Sequence, residues 1–295
     1  MATCVTVGFF DGVHRGHQYL IRTLQKVAIR YGLLPIVLTF EQILKRGSDF
    51  SDGQFLIDTP LEKRELLQSY CRTMSEPQPE VHYLDFVRVG HMKAEEYMLY
   101  VQKVFDTRCI LMGYDHRFGS DLMDNFHEYE ACAVKLGIEV TRASSFRLNG
   151  REVSSSKIRE CLKEGAMEQV TEMLGRPFKI CGVVVRGRGI GRQIDFPTAN
   201  VCVDSFKLLP RDGVYKSVVK LEHRTVTMSA IVNIGNNPTI AKDNLRTVEV
   251  HIPGYCGDLY GQAIEVDLIH FLREERFFTS VDQLRHQIQR DVECL

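Results

Sequence analysis

Apolar and polar residues follow two different rhythms along this chain, and the change falls at Leu174-Gly175-Arg176-Pro177. Before it, buried-strand patterns alternate with helical ones. Cys4 to Phe9 is apolar and β-branched. After a glycine-containing turn, Leu20, Ile21, Leu24, Val27, Ala28 and Tyr31 recur at the spacing of one helix face. Gly32 stands where a helix C-terminus favours a left-handed residue. Leu33 to Phe40 is one continuous apolar run, as in a parallel strand covered on both faces. Thr59-Pro60-Leu61-Glu62 combines a capping box with a proline at the first helical position and predicts a helix start. Ser75 to Glu80, with two prolines, reads as a loop. Helices are predicted over Ala94 to Phe105 and Asn125 to Leu136, and strands over Arg108 to Met112 and Ile138 to Arg142. Repeated strand–helix units of this kind predict an α/β domain with a parallel, Rossmann-like sheet and helices on both faces.

After the change the apolar runs are short, alternating and separated by Gly, Pro, Asn and Asp. They include Ile180 to Arg186, Val214 to Leu221, Thr225 to Asn233, Thr247 to Ile252 and Ala263 to Phe271. That spacing predicts an antiparallel barrel or sandwich. Ser280-Val281-Asp282-Gln283 has the form of a second capping box, and Leu284, Ile288 and Val292 recur every four residues, so one helix closes the chain. The expected domains are therefore 1–174 and 175–295.

Composition narrows the function classes. The 295 residues suit two domains at roughly 150 residues each. Lys and Arg number 37 against 38 Asp and Glu, so bulk charge gives no reason to expect a nucleic-acid partner. No apolar run approaches the ~18 residues of a membrane span. The first residues lack the basic start and small-residue cleavage site of a signal peptide. The nine cysteines are odd in number and form no C-x-x-C pair, which reads as reduced thiols in a cytoplasmic protein. None of this sets an oligomeric state, a weak homo-oligomer included.

The candidate chemistry begins at the first strand–helix junction, Gly8-Phe9-Phe10-Asp11-Gly12-Val13-His14-Arg15-Gly16-His17. In an open α/β sheet, ligands bind beyond the carboxyl ends of the strands, where a helix N-terminus offers free N–H groups to phosphate. Gly16 allows a close backbone approach, and His14 and His17, three apart, share a face on the first turn. Two imidazoles there can donate hydrogen bonds to a phosphate under attack. Read blandly, the same residues are a glycine-rich turn with two surface histidines. Gly113-Tyr114-Asp115-His116-Arg117-Phe118-Gly119 follows another predicted strand, so Asp115 falls on the same sheet edge and can orient a base or ribose. Ser154-Ser155-Ser156-Lys157-Ile158-Arg159 opens a helix. Ser155 and Ser156 are either phosphate donors or a simple N-cap, and Arg159 lies one turn after Ser155.

In the second half, Gly187, Gly191 and Arg192 belong to a glycine-rich basic turn able to cover phosphates, although it is no Walker A loop and a plain hairpin would look similar. Thr198 and Asn200 follow in Phe196-Pro197-Thr198-Ala199-Asn200. Two apart on an extended chain, they point to one side and offer hard oxygen ligands for Mg²⁺ on ATP. In Val248-Glu249-Val250-His251-Ile252 the three apolar residues face one way and Glu249 and His251 the other. Glu249 is thus either a general base or a solvated strand residue.

G-x-F-D-G-x-H-x-G-H, G-x-D-x-x-F-G and S-S-S-x-I-R together resemble the signatures of the FMN adenylyltransferase module of bacterial bifunctional riboflavin kinase/FAD synthetase. The run G-R-x-x-x-F-P-T-A-N, G-V-Y, N-I-G-x-N-P-T, V-E-V-H, D-L-Y-G and L-R-x-E resembles its riboflavin kinase module. The resemblance implies a six-stranded barrel for residues 175–295. It implies ATP contacts from Gly8, Phe9, Phe10, Asp11, Gly16, Asp115, Ser155, Ser156, Gly187, Gly191 and Arg192. It also implies Mg²⁺ at Thr198 and Asn200, Glu249 as base, and flavin contacts from Asn233, Arg273 and Glu275. Catalysis of adenylyl transfer would fall to His14, His17 and Arg159. The expected substrates and products are riboflavin, FMN, FAD and ATP. Two departures stand out: Thr39 to Arg46 lacks the family's P-H-P element, leaving Lys45 or Arg46 as possible replacements, and Asp195 stands where glycine is common. The alternatives are a kinase with a weak or inactive first half, and a non-catalytic flavin-binding regulator. The latter would need neither Mg²⁺ ligands nor a base.

Overall fold

The computed structural model describes residues 1–41, 55–121, 123, 125–187, 189, 191, 194–222, 224, 226–236 and 246–295. Lys45, Arg46 and Arg192, and Asn237-Pro238-Thr239, lie outside them. Two compact units emerge: 1–51 with 58–155, and 52–57 with 156–295.

The first unit runs β1 (Thr3–Val7), α1 (Arg15–Tyr31), β2 (Leu34–Phe40), α2 (Pro60–Arg72), β3 (Glu80–Leu84), α3 (Phe86–Val89), α4 (Ala94–Phe105), β4 (Thr107–Met112), α5 (Phe126–Leu136) and β5 (Glu139–Arg142). A small hairpin, β6 (Arg147–Leu148) with β7 (Arg151–Glu152), follows. Among the described residues β1 to β5 form one parallel sheet of order β3-β2-β1-β4-β5. Alternate strand residues serve opposite faces. Val5, Val7, Ile36 and Leu38 pack with Met98 of α4 and Ala133 of α5, whereas Cys4, Val37 and Leu111 pack with Ile21 and Leu24 of α1 and Leu67 of α2. The continuous apolar runs are therefore explained by burial on both faces. Strand β3 was hidden in the sequence because it lies at the sheet edge and three of its five residues are only half buried.

The second unit begins with α6 (Ser155–Glu164), whose first residue belongs to the other unit, and α7 (Met167–Leu174). Strands β8 (Phe178–Val185), β9 (Ala199–Val203), β10 (Gly213–Leu221), β11 (Met228–Asn236), β12 (Arg246–His251) and β13 (Ala263–Arg273) close a barrel of order β10-β11-β12-β9-β8-β13. All its neighbours are antiparallel. The structure thus decides for a barrel over a sandwich. The C-terminal helix, Val281–Glu293, starts at Ser280, whose side chain accepts from Gln283 N. The box expected there is not reciprocal, because the Gln283 amide oxygen accepts from Thr279 N instead. By contrast, the Thr59–Glu62 box at α2 is complete in both directions.

Candidate active sites

The order β3-β2-β1-β4-β5 places β1 between strands reached in opposite directions, and the crevice at such a switch point is where α/β sheets bind ligands. The loop Gly8–His14 leaves β1 there. Its backbone is bent by three positive φ angles, Phe10 at 54°, Gly12 at 85° and Val13 at 38°. The bend is held from several sides. Phe10 and Val13 are buried, and the Asp11 carboxylate accepts from Asp58 N at 3.2 Å. The Ser155 hydroxyl donates to the Asp11 carbonyl at 2.9 Å.

His14 caps α1, its Nδ1 accepting from His17 N at 3.3 Å. The two rings stack at 3.6 Å between centroids. Burial holds the His17 imidazole well below histidine's ordinary pKa, and the charges of His14, His116 and Lys63 act in the same direction. His17 is thus a neutral imidazole at pH 7. Its Nδ1 is buried with no hydrogen-bond partner among the described residues. Gly16 fits this packing, because a Cβ there would lie 3.1 Å from the His14 ring and 3.2 Å from the Val153 carbonyl.

Asp115 is exposed in the loop after β4, on the same sheet edge as expected. That loop is anchored by Phe118, whose N–H and carbonyl both bond the Tyr129 hydroxyl, and by Gly119, where a Cβ would overlap Ala94 N at 2.5 Å. Ser156 and Arg159 belong to the other compact unit. Ser156 is exposed, and Arg159 Nε donates to the Phe55 carbonyl at 2.9 Å. The expected trio of Ser155, Ser156 and Arg159 is therefore divided. Ser155 braces the β1 loop, and Arg159 braces the 55–57 segment, which pairs with Phe206 and Leu208.

In the barrel unit, register brings three candidate residues into one rung. Asn233 of β11 stands opposite Glu249 of β12, which stands opposite Asn200 of β9. Val232, Ile234, Val248 and Val250 fill the interior, so the rung faces outward. It meets a cavity of about 360 Å³ lined by Thr198, Asn233, Glu249, Arg273, Glu275 and the C-terminal helix residues Leu284, Ile288 and Asp291. Thr198 Oγ1 donates to Glu249 Oε2 at 3.4 Å, and Thr198 also lines a second cavity of about 60 Å³ beside Tyr255 and Tyr260. Asn200 lies against the glycine-rich turn. A Cβ on Gly187 would overlap its amide at 2.2 Å, and one on Gly191 would strike the Phe196 carbonyl at 2.2 Å. Asp195 adopts φ 65°, the left-handed region in which glycine costs least, and this accounts for its standing out in the sequence.

Among the described residues no cluster of three or more His, Cys, Asp or Glu is arranged to hold a metal alone. The Thr198 hydroxyl beside the Glu249 carboxylate, and the amide oxygen of Asn200 opposite Glu249 in strand register, are instead hard donors of the kind that suit a magnesium ion keeping water and phosphate ligands.

Two expected flavin contacts have protein partners. Arg273 donates from Nε and Nη2 to the buried Asp291 carboxylate, at 2.7 Å for the shortest contact, fastening the C-terminal helix to β13. Glu275 accepts from Asn233 Nδ2 at 3.0 Å and lies so close over Gly235 that a Cβ there would overlap its carboxylate. Sequence reasoning missed Asp291 and Lys63. Asp291 sits beside the apolar stripe of its helix and Lys63 resembles any polar helix residue, so neither leaves a local signal.

Comparison with known proteins finds two family models along the chain. A model of the FAD synthetase family matches residues 1–157, and one of the riboflavin kinase family matches 174–295. Curated bifunctional riboflavin kinase/FMN adenylyltransferases are similar over nearly the whole chain. The Haemophilus influenzae protein is 30% identical, covering 98% of this chain and 92% of its own. The Pseudomonas fluorescens protein is 32% identical, covering 98% and 91%. A crystal structure described as a macrolide-efflux protein from Streptococcus pneumoniae is 29% identical with a TM-score of 0.83, covering 99% of this chain and 93% of its own. Among the described residues no helix is long and apolar enough to cross a membrane.

Proposed function

This chain belongs to the bifunctional riboflavin kinase/FMN adenylyltransferase family, and from that premise we propose that it makes flavin cofactors in two ATP-dependent steps, with adenylyl transfer on residues 1–174 and kinase chemistry on 175–295. The observation that carries the kinase step is the outward rung of Asn233, Glu249 and Asn200, of which Asn233 and Glu249 line the cavity of about 360 Å³. Riboflavin lies in that cavity with its terminal ribityl hydroxyl toward Glu249. The carboxylate takes the hydroxyl proton as the oxygen bonds to the γ-phosphorus of ATP and the bond to the β-phosphate oxygen breaks, leaving FMN and ADP. Thr198 and Asn200 would hold Mg²⁺, which would neutralise charge on the phosphates when bound. Gly187 and Gly191 let the backbone approach those phosphates, and Asn233, Arg273 and Glu275 orient the flavin.

In the first unit the FMN phosphate is itself the nucleophile. One of its oxygens bonds to the α-phosphorus of ATP and pyrophosphate leaves, so no protein nucleophile is required. The loop Gly8–His14, with Gly16 and Asp115, holds ATP. His14 and the neutral His17 donate hydrogen bonds as charge builds on the α-phosphate. Ser155 supports this loop through its bond to the Asp11 carbonyl. All nine cysteines are free thiols, which supports a reducing, cytoplasmic setting. Chromatography of the products formed from riboflavin and Mg-ATP tests the whole reading: FMN followed by FAD is expected, FMN alone would leave a kinase only, and no product would leave a flavin binder.

A further inference from the structure

One buried charge in the first unit is used by neither step. Lys63 sits in the first turn of α2, only 3% exposed. Its Nζ donates to the Phe40 carbonyl at 2.7 Å and to the Phe9 carbonyl at 3.2 Å, and it stands 4.2 Å from the centre of the Phe9 ring. Phe40 ends β2 and Phe9 lies in the site loop after β1, so a single ammonium ties together the carboxyl ends of two neighbouring strands. Thr39 Oγ1 donates to the same Phe9 carbonyl at 3.2 Å. Burying an ammonium is costly unless its surroundings answer the charge. Here the answer is two carbonyl dipoles, an aromatic face and the nearby Asp11, Asp58 and Glu41 carboxylates. A leucine would fill this space more cheaply, so the charge itself calls for a role.

We propose that Lys63 is a positioning residue for adenylyl transfer: its buried ammonium clamps the ends of β1 and β2, holds the Gly8–His17 loop in its strained form, and places positive charge beneath the phosphates that loop receives. The inference rests on the adenylyltransferase reading of this unit. Charge-assisted bonds to the two carbonyls fix Phe9 and hence the residues that lead to the paired imidazoles. The same charge reaches His17, where it helps keep the imidazole neutral.

Lys63 also gives the reaction a titratable control. The groups facing Nζ are Asp11 on the site loop, Asp58 before α2, Glu41 after β2 and His17 on α1. Burial pulls the ammonium down to about 8, the three carboxylates opposing it. Above that pH the charge leaves, while His17 is already neutral and does not titrate there. Adenylyl transfer should therefore decline on the alkaline side with a midpoint near 8 in kcat/KM for ATP, the quantity that reports the free enzyme.

The test uses the full chain and follows FAD formed from FMN and Mg-ATP between pH 6.5 and 9.5, for the parent, Lys63→Met and Lys63→Arg. The parent should show the alkaline decline. Lys63→Met should lose on the order of 10²-fold in kcat, as expected when reacting groups are misplaced by about an ångström, with a smaller change in KM and with riboflavin phosphorylation intact. Lys63→Arg, which keeps its charge throughout, should recover activity and lack the decline. A parent profile flat from pH 7 to 9.5 overturns the proposal without any variant, as does a Lys63→Met protein with the parent's kcat and profile. A parent that phosphorylates riboflavin but forms no FAD overturns the adenylyltransferase reading and this proposal with it.

Discussion

Glu249 and Thr198 lie 3.4 Å apart, yet a single substitution at each should damage the kinase step differently. Glu249→Gln keeps the shape of the side chain but removes the base, so riboflavin phosphorylation should fall by about 10²–10⁴-fold. Adenylylation of supplied FMN should be unchanged; a variant phosphorylating at the parent's rate would end the assignment. Thr198→Ala and Asn200→Ala remove oxygen donors, not the base. Each should shift the Mg²⁺ dependence of phosphorylation to higher concentration and recover rate at saturating metal, again sparing adenylylation. Titrating Mg²⁺ against both rates checks this, and equal loss in both reactions would indicate damage to the fold instead. His17 offers no such switch near neutrality, because burial already holds it in its neutral form.

At the scale of elements, the kinase cavity depends on how the C-terminal helix is fastened. Leu284 and Ile288 supply its apolar wall, but Asp291 supplies the attachment, accepting from Arg273 on β13 and from Gln287 one turn earlier. Both members of the ion pair are largely out of water, so removing one strands the other. Breaking a buried pair in this way costs about 3–5 kcal/mol. Asp291→Ala should therefore lower the melting temperature of the barrel unit and raise KM for riboflavin at least tenfold, with adenylyl transfer from supplied FMN retained. Thermal unfolding followed by circular dichroism, with both KM values, measures this. An unaltered KM for riboflavin would show that the helix stays in place without the pair. The β1 loop is braced in a comparable way, by Ser155 and, from the start of α2, by Asp58 and the Lys63 ammonium.

For the whole molecule the two activities should run at unequal rates. The stretch 39–46 lacks the P-H-P element of the family, while the kinase motifs show no comparable loss. A positioned contact formed only in the transition state is worth about 2–4 kcal/mol, so FMN should build up before FAD in a time course from riboflavin and excess Mg-ATP. FAD rising with no FMN accumulation would refute this. The sequence by itself determined what is local: strand and helix periods, the Thr59 cap, the left-handed Gly32, the alternation that turns Glu249 away from Val248 and Val250, and the order of motifs that marks both halves. Each of these signals acts within a few residues, where backbone geometry alone dictates spacing. Tertiary structure alone decided which distant groups meet. It closed the second half as a barrel, aligned Asn233, Glu249 and Asn200 through strand register, and paired Arg273 with Asp291 across 18 residues. It turned Ser155 onto the Asp11 carbonyl across 144 residues, and it buried Lys63 under a loop 54 residues away. A charge or hydroxyl carries no local mark of its partner, because the cost of burial and its compensation arise only once the chain has packed.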